Sequence, residues 1–491
     1  MPRVVVPSHS KRLVFQLCSS YIAALFLLCV APPLSQAESH ATKVAAADAK
    51  KEAKKTTKKA RKRPIKRAAG NALKATGRLK EKKKKDPNRL EIGLLPAVNY
   101  SIDTGLGFGL LGTVVQFKEG YKPYQWRLVF LLYATVQFLQ TGPIFPYHDD
   151  YIRLDLPGLA GGLLRLDSRV GFSLFSTSGY YGLGNNSPYK EPWAALDPET
   201  QRDDYISALR YQQYSRMFPY LQSAARIKMY RDKKTIVETF VSLRFQYNIP
   251  EIYKDSKLEE DIQGNGLESS KYVQNTLTGT QNHGVVTGTL GILWDTRDSE
   301  FVPMKGHFLE VSARVGQGLG LPFTYGGVST NLRFFFSIWK DYLVIATRLI
   351  GDVLFGDVPL YELPTFGGLF PGEGPGGGSS TRGVAWLRYY GKAKILGNLE
   401  LRIKAIPFNI GSQRFNLGFI AFLDAGRVWG DYGYANNNIQ KDIDGEGLGI
   451  KYGVGGGLRV QWGSTFVIRL DVAQSLSDNR LGFYLNVDHI F

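Results

Sequence analysis

Long stretches of the chain alternate apolar and polar residues with a period of two, and full charges stand on the polar side. In Leu399–Ala405, Leu399, Leu401, Ile403 and Ala405 share one face, while Glu400, Arg402 and Lys404 share the other. In Thr465–Ala473, Phe466, Ile468, Leu470 and Val472 oppose Thr465, Val467, Arg469 and Asp471. In Gly482–Asp488, Phe483, Leu485 and Val487 oppose Gly482, Tyr484, Asn486 and Asp488. A period of two is the strand period. The charged face requires water or ion pairs, and the other face requires an apolar medium. A membrane barrel meets both needs, with lipid outside and a polar lumen inside.

Sixteen segments carry strand signals, near 91–99, 105–117, 124–140, 147–156, 163–177, 216–230, 234–248, 283–294, 306–318, 323–337, 342–354, 396–406, 414–426, 448–462, 464–474 and 480–491. Their connections alternate in length. Short ones follow even strands, such as 118–123, 157–162, 231–233, 338–341 and 407–413; 295–305 is longer but compact. Long ones follow odd strands: 178–215, 249–282, 355–395 and 427–447. Bacterial outer-membrane barrels have this asymmetry, with short periplasmic turns and long outer loops. The fold class expected is therefore all-β, a 16-stranded antiparallel transmembrane β-barrel. A set of soluble β-sandwiches would need linkers between domains, and none is visible. After residue 40 no apolar run reaches the length of a membrane helix; the best is Leu128–Leu139.

Charge separates this body from what precedes it. The formal net charge is +18, of which residues 41–90 carry +16 and residues 91–491 carry none. Residues 1–37 read as a signal peptide, with Lys11 and Arg12 before an apolar stretch and Ser35-Gln36-Ala37 at the cut. An uncut anchor is the alternative. Residues 38–90 are rich in Lys and Ala and hold almost no large apolar residue, so they cannot bury a core. They are expected to be a disordered periplasmic linker. They are either merely solvated or bound to anionic lipid or an acidic cell-wall polymer. Nucleic acid is not an expected partner of an exported chain. Both cysteines, Cys18 and Cys29, fall in the signal segment, which excludes disulfide and thiol chemistry from the body. The histidines show no metal spacing, and no nucleophile elbow or P-loop occurs. No cofactor and no enzymatic activity are expected.

Several motifs in residues 91–491 together resemble the BamA/TamA superfamily of outer-membrane β-barrels, the bacterial surface antigen family. Phe419–Trp429 contains Phe422, Asp424 and Gly426, similar to the family's F-x-D-x-G pattern. Asn398-Leu-Glu400-Leu-Arg402 resembles the preceding strand. Gly376–Val384, with Arg382 and Gly383, stands where the family has its V-R-G-F loop tip, with Thr381 for the Val and Val384 for the aromatic. Tyr180–Asn185 and Trp294–Asp298 followed by Pro303 and Gly306 recur in the family as well. The final segment, Leu481–Phe491, looks like the C-terminal signal by which such barrels are recognised for insertion, carried by Phe483, Leu485, Val487 and Phe491; His489 departs from it. The family's insertases carry POTRA modules ahead of the barrel, and the 52 residues between Glu38 and Arg89 have room for none.

Alternation places Glu400, Arg402 and Asp424 on the lumen side. Eight glycines between Gly367 and Gly383 let the 355–395 loop take unusual backbone angles. Arg382 at its tip is then expected to fold inward against Asp424 and Glu400 as a charge-assisted lock. The alternative leaves Arg382 in an exposed loop. The resemblance implies an integral outer-membrane barrel in assembly, insertion or translocation of proteins. Its partners would be membrane lipids and unfolded outer-membrane proteins or assembly machinery. The working part would be a weak seam between the first and last strands. Beside it stands a passive or structural pore plugged by the 355–395 loop; an outer-membrane lipid hydrolase is the remotest reading, since His283 and His307 are present but nothing picks out a serine partner for them. The Asp295–Asp298 turn is expected to make local hydrogen bonds, and Tyr180–Asn185 to shape an outer loop.

Overall fold

The alternating segments pair with their sequence neighbours as antiparallel strands, because each can hide its charges only by turning the same face inward as the next. The computed structural model describes residues 86–121, 123–232, 234–264, 267–339, 342–411, 413–462, 466–487 and 489–491. The signal peptide expected at 1–37, and all but the last few residues of the linker expected at 38–90, lie outside the described residues.

Two units separate among the described residues, 86–90 with Gln116–Tyr121, and Glu91–Val115 with the described residues from 123 to Phe491. In the described part of the first, the Arg89 guanidinium stacks 3.9 Å over the Phe117 ring, and the Phe117 amide donates to the Arg89 carbonyl at 2.8 Å. The second unit is the barrel. Its long strands are β1 (Leu90–Ser101), β2 (Gly105–Gln116), β3 (Trp126–Leu139), β4 (Tyr147–Leu159), β5 (Leu164–Gly179), β6 (Gln213–Arg231), β7 (Ile236–Glu251) and β8 (His283–Asp295). They continue with β9 (Gly306–Leu319), β10 (Thr324–Trp339), β11 (Leu343–Gly356), β12 (Ala393–Ile410), β13 (Gln413–Trp429), β14 (Lys451–Trp462), β15 (Phe466–Ser475) and β16 (Leu481–Val487). Pairing of β1 with β16 closes the sheet, giving the sixteen-stranded antiparallel barrel.

The pleat sorts the residues as alternation requires. On β12, Leu399 and Ile403 face outward, whereas Glu400 is fully buried. On β7, Val241, Leu243 and Phe245 are exposed, while Phe240, Ser242 and Gln246 are buried. Large apolar side chains lie exposed on strand after strand, far more than a protein surrounded by water displays. They form the lipid-facing belt. At the short-turn end, Phe415 stacks between Phe408 and Trp462, with ring centroids 5.4 and 5.7 Å away. Exposed Trp339 and Tyr342 sit beside each other at another short turn. Such rings suit the membrane–water boundary.

At the long-loop end the connections carry helices that alternation could not disclose. These are α1 (Arg202–Arg210), α2 (Lys257–Gln263), α3 (Glu268–Thr276) and α4 (Asn437–Asp444). Two are capped by their own sequence: Ser256 Oγ accepts from the Glu259 amide at 3.2 Å, and Asn436 Oδ1 from the Ile439 amide at 2.9 Å. The largest apolar cluster lies here and includes Tyr180, Leu183, Leu258, Tyr361, Tyr390 and Ile443. Burial pushes the Asp431 carboxyl up, but the Lys392 ammonium at 2.8 Å and the Tyr432 amide at 2.7 Å, with the Tyr272 hydroxyl, together hold it below the usual carboxylate range.

The last segment departs from expectation. Alternation predicts a strand to Phe491, yet β16 ends at Val487. Phe491 turns inward and packs with Phe335 and Ala346. Arg348 and Arg402 lie 5.1 and 5.0 Å from its ring, and each also donates at 3.1 Å to a backbone oxygen, of Ile490 and Phe491 respectively. These inward-facing guanidiniums draw the aromatic off the lipid face by cation–π attraction and hydrogen bonding.

Candidate functional site: the lumen loop and the seam

The segment between β11 and β12 does not leave the barrel mouth as a free loop. It turns inward and crosses the lumen. On one wall, the Leu369 amide donates to Glu310 Oε1 at 2.5 Å, and Gln222 Nε2 donates to the Leu369 carbonyl at 3.0 Å. At the loop's base, Arg314 and Lys394 share Asp352, at 2.8 and 2.9 Å.

At the opposite wall stands Arg382, with no solvent exposure. Its Nε and Nη2 grip Asp424 at 2.8 and 3.0 Å, and its Nη1 donates to Glu400 at 2.9 Å and to Asp471 at 3.2 Å. The guanidinium lies 3.4 Å above the Phe422 ring. Asp424 accepts also from the Arg382 amide at 3.1 Å and from Asn398 Nδ2 at 2.7 Å. Three buried carboxylates thus surround one buried cation. Arg402 balances Glu400 at 2.7 Å, and Arg459 balances Asp471 at 2.6 Å. Such a group holds only if every member is partnered, since a lone buried charge is costly.

The loop backbone must come close to the wall for this. Gly383 has φ +90°, and a Cβ there would meet the Ser475 amide nitrogen at 2.7 Å. A Cβ at Gly453 would overlap the Arg382 carbonyl. The Gly383 amide donates to Tyr484 Oη at 3.1 Å. Gly426 leaves room for Thr381 and Pro375. Where the family pattern has an aromatic, Val384 is buried with Tyr389 and Val428.

All five residues singled out around the lock therefore meet in one place. Sequence reasoning missed Asp471, although alternation put it on the polar face. It lies 89 positions from Arg382, and the pairing of β13 with β14 and of β14 with β15 brings it there. Of the expected insertion-signal residues, Phe483 and Val487 face outward, Leu485 is half-buried, and Phe491 lies in the lumen. The Asp295 carboxylate takes Arg297 Nη2 at 2.8 Å, and Asp298 Oδ1 accepts from the Met304 amide at 2.9 Å. Tyr180 donates to Asp261 at 2.8 Å inside the outer cap. His283 stacks on Tyr361, with Nε2 3.0 Å from its hydroxyl. Beside the loop a lumen cavity of about 360 Å³ remains, lined by Tyr133, Tyr147, Phe175, Arg216, Glu373 and Trp386 among others.

The second feature is the closure itself. β1 and β16 share register at Tyr100↔Leu485 and Ser101↔Tyr484, followed by one bond from the Ile102 amide to the Phe483 carbonyl at 3.2 Å. The rings of Tyr100 and Phe483 meet edge-on at 5.7 Å. By contrast, β12 and β13 pair from Ala393↔Trp429 to Ile410↔Gln413.

Residues 168–489 match the model of the Omp85 superfamily domain. Among solved structures, BamA from Haemophilus ducreyi lacking POTRA domains 1–3 is similar at 14% identity and a TM-score of 0.50, over 82% of this chain and 71% of that one. CdiB from Acinetobacter baumannii is 12% identical (TM-score 0.46, 82% and 65% covered), and CdiB from Escherichia coli is 12% identical (TM-score 0.48, 82% and 68% covered). No curated protein sequence matches.

Proposed function

The chain belongs to the Omp85 superfamily, as an outer-membrane β-barrel of the BamA/TamA type, and from that premise we propose that it inserts or translocates polypeptides at the outer membrane. The observation that carries the reading is the contrast between a lumen loop fixed by Arg382 and a β1–β16 seam joined, among the described residues, at two residue pairs. An incoming strand can pair with an edge whose own partner covers little of it. Meanwhile the lock keeps the remaining wall in shape. Asp424, Glu400 and Arg382 serve here as the structural lock, with Gly383 and Gly426 admitting the loop. The outward row of Phe483, Leu485 and Val487 serves as this barrel's own insertion signal. The basic tail, with +16 over residues 41–90, acts on anionic lipid or an acidic cell-wall polymer.

The test is reconstitution into liposomes with an unfolded outer-membrane barrel as client. The protein should speed the client's folding, and a covalent bridge between Tyr100→Cys and Leu485→Cys should abolish the gain. Equal folding rates with and without the protein would overturn the reading.

A plugged pore is the second reading, favoured by the loop's contacts with both walls. Planar-bilayer recording separates the two. A pore gives a steady conductance that grows in Arg382→Ala, whereas the insertion reading requires no steady current.

A further inference from the structure

Backbone pairing accounts for little of the β1–β16 closure, so side chains decide whether it stays shut. Just past the shared register, at the long-loop end, Asp103 follows β1 and Arg480 precedes β16. Arg480 Nη2 donates to Asp103 Oδ1 at 2.8 Å, with side chains 16% and 7% exposed. The same Asp103 oxygen accepts from the Trp386 amide at 3.2 Å, and Arg480 Nη1 reaches the Gly383 carbonyl at 3.4 Å. Trp386 and Gly383 belong to the loop that carries Arg382. The loop also lies directly on the last strand: a Cβ at Gly482 would come within 2.9 Å of Gly383 Cα, and one at Gly378 within 2.7 Å of the Tyr484 ring.

We infer that Asp103 and Arg480 are positioning residues that clasp the long-loop end of the seam and tie its closure to the lumen loop, so that withdrawal of the loop and parting of β1 from β16 occur together. Asp103 is the shared acceptor. One carboxylate serves the arginine just ahead of the last strand and the loop's backbone. If the loop withdraws, it removes the Gly383 carbonyl from Arg480 and the Trp386 amide from Asp103 at once. A largely buried ion pair stripped of its further hydrogen bonds is poorly compensated. The inference deepens the seam reading above and rests on the seam being the part that moves.

The experiment bridges the seam with a short bifunctional thiol reagent in a lipid bilayer, with no client present. Cys18→Ser and Cys29→Ser remove the native thiols. Tyr100→Cys with Leu485→Cys reports the seam. Leu401→Cys with Ala421→Cys, register partners on β12 and β13, reports the rest of the wall. Asp103→Ala should lower seam bridging by about fivefold or more, the shift expected from losing one such contact, and leave the β12–β13 bridge unchanged. Arg480→Gln should do the same, and the two together little more. Arg382→Gln should lower seam bridging as well, through the loop. Should Asp103→Ala reduce both bridges by failing to fold, Asp103→Asn keeps the shape, loses the charge and is judged by the same criterion. Seam bridging at the unmutated level in the Asp103 variant, or additive losses in the pair, would overturn the clasp. Because no client is used, a barrel that inserts nothing still reports on it.

Discussion

The β12–β13 wall and the β1–β16 seam are built from the same kind of strand yet are held in different ways. The wall has a continuous ladder from Ala393↔Trp429 to Ile410↔Gln413, broken only by a shift between Lys404 and Ile406. It presents Glu400 and Asp424 to Arg382 from within that ladder. Among the described residues, the seam shares two residue pairs and leans on Tyr100 against Phe483 and Asp103 against Arg480. In a closed sheet every strand could pair along its full length. A closure that does not is free to part without disturbing the rest. The wall supplies the rigidity that lets one weak junction exist.

The largest effect should come from the wall. Arg382→Ala leaves Glu400, Asp424 and Asp471 short of a buried partner, and should cost about 3–5 kcal/mol. Asp424→Ala should cost a similar amount, because it strands the guanidinium. Denaturant unfolding in lipid–detergent mixtures measures both. The double variant should lose little more than either single one, and additive losses would show that the two do not act as a unit. Next comes the loop tip. Gly383→Ala adds a methyl group against the Ser475 backbone at a positive φ, and should cost about 1–3 kcal/mol. Smallest is the seam. Tyr100→Ala removes one edge-to-face contact and should cost only about 1 kcal/mol of global stability. It should nevertheless raise local opening near Tyr100 more than near Leu401. A loss as large as that of Arg382→Ala would erase the distinction between the two regions.

Much of this was legible because a period of two leaves little freedom. Once Leu399, Leu401 and Ile403 face lipid, Glu400 has to face inward, and the same count turns Asp424 inward. The motif around Arg382 then supplied the partner. What stayed hidden depended on three-dimensional closure or on local competition. Asp471 reaches Arg382 only when β15 comes round beside β14. Asp103 meets Arg480 only because the first and last strands are neighbours. Capping by Ser256 and Asn436 wins helices inside segments that read as loops. Phe491 shares the outward parity of Phe483 but leaves it, because the strand stops and two arginines offer its ring a place within.

Amide hydrogen exchange of the barrel in a lipid bilayer tests the central contrast most directly. The account predicts that amides at Tyr100–Ile102 and Phe483–Leu485 exchange at least about a hundredfold faster than those at Leu399–Ile403 and Phe419–Leu423, a gap of roughly 3 kcal/mol in local opening. Equal protection of the two regions, or slower exchange at the seam, would contradict it.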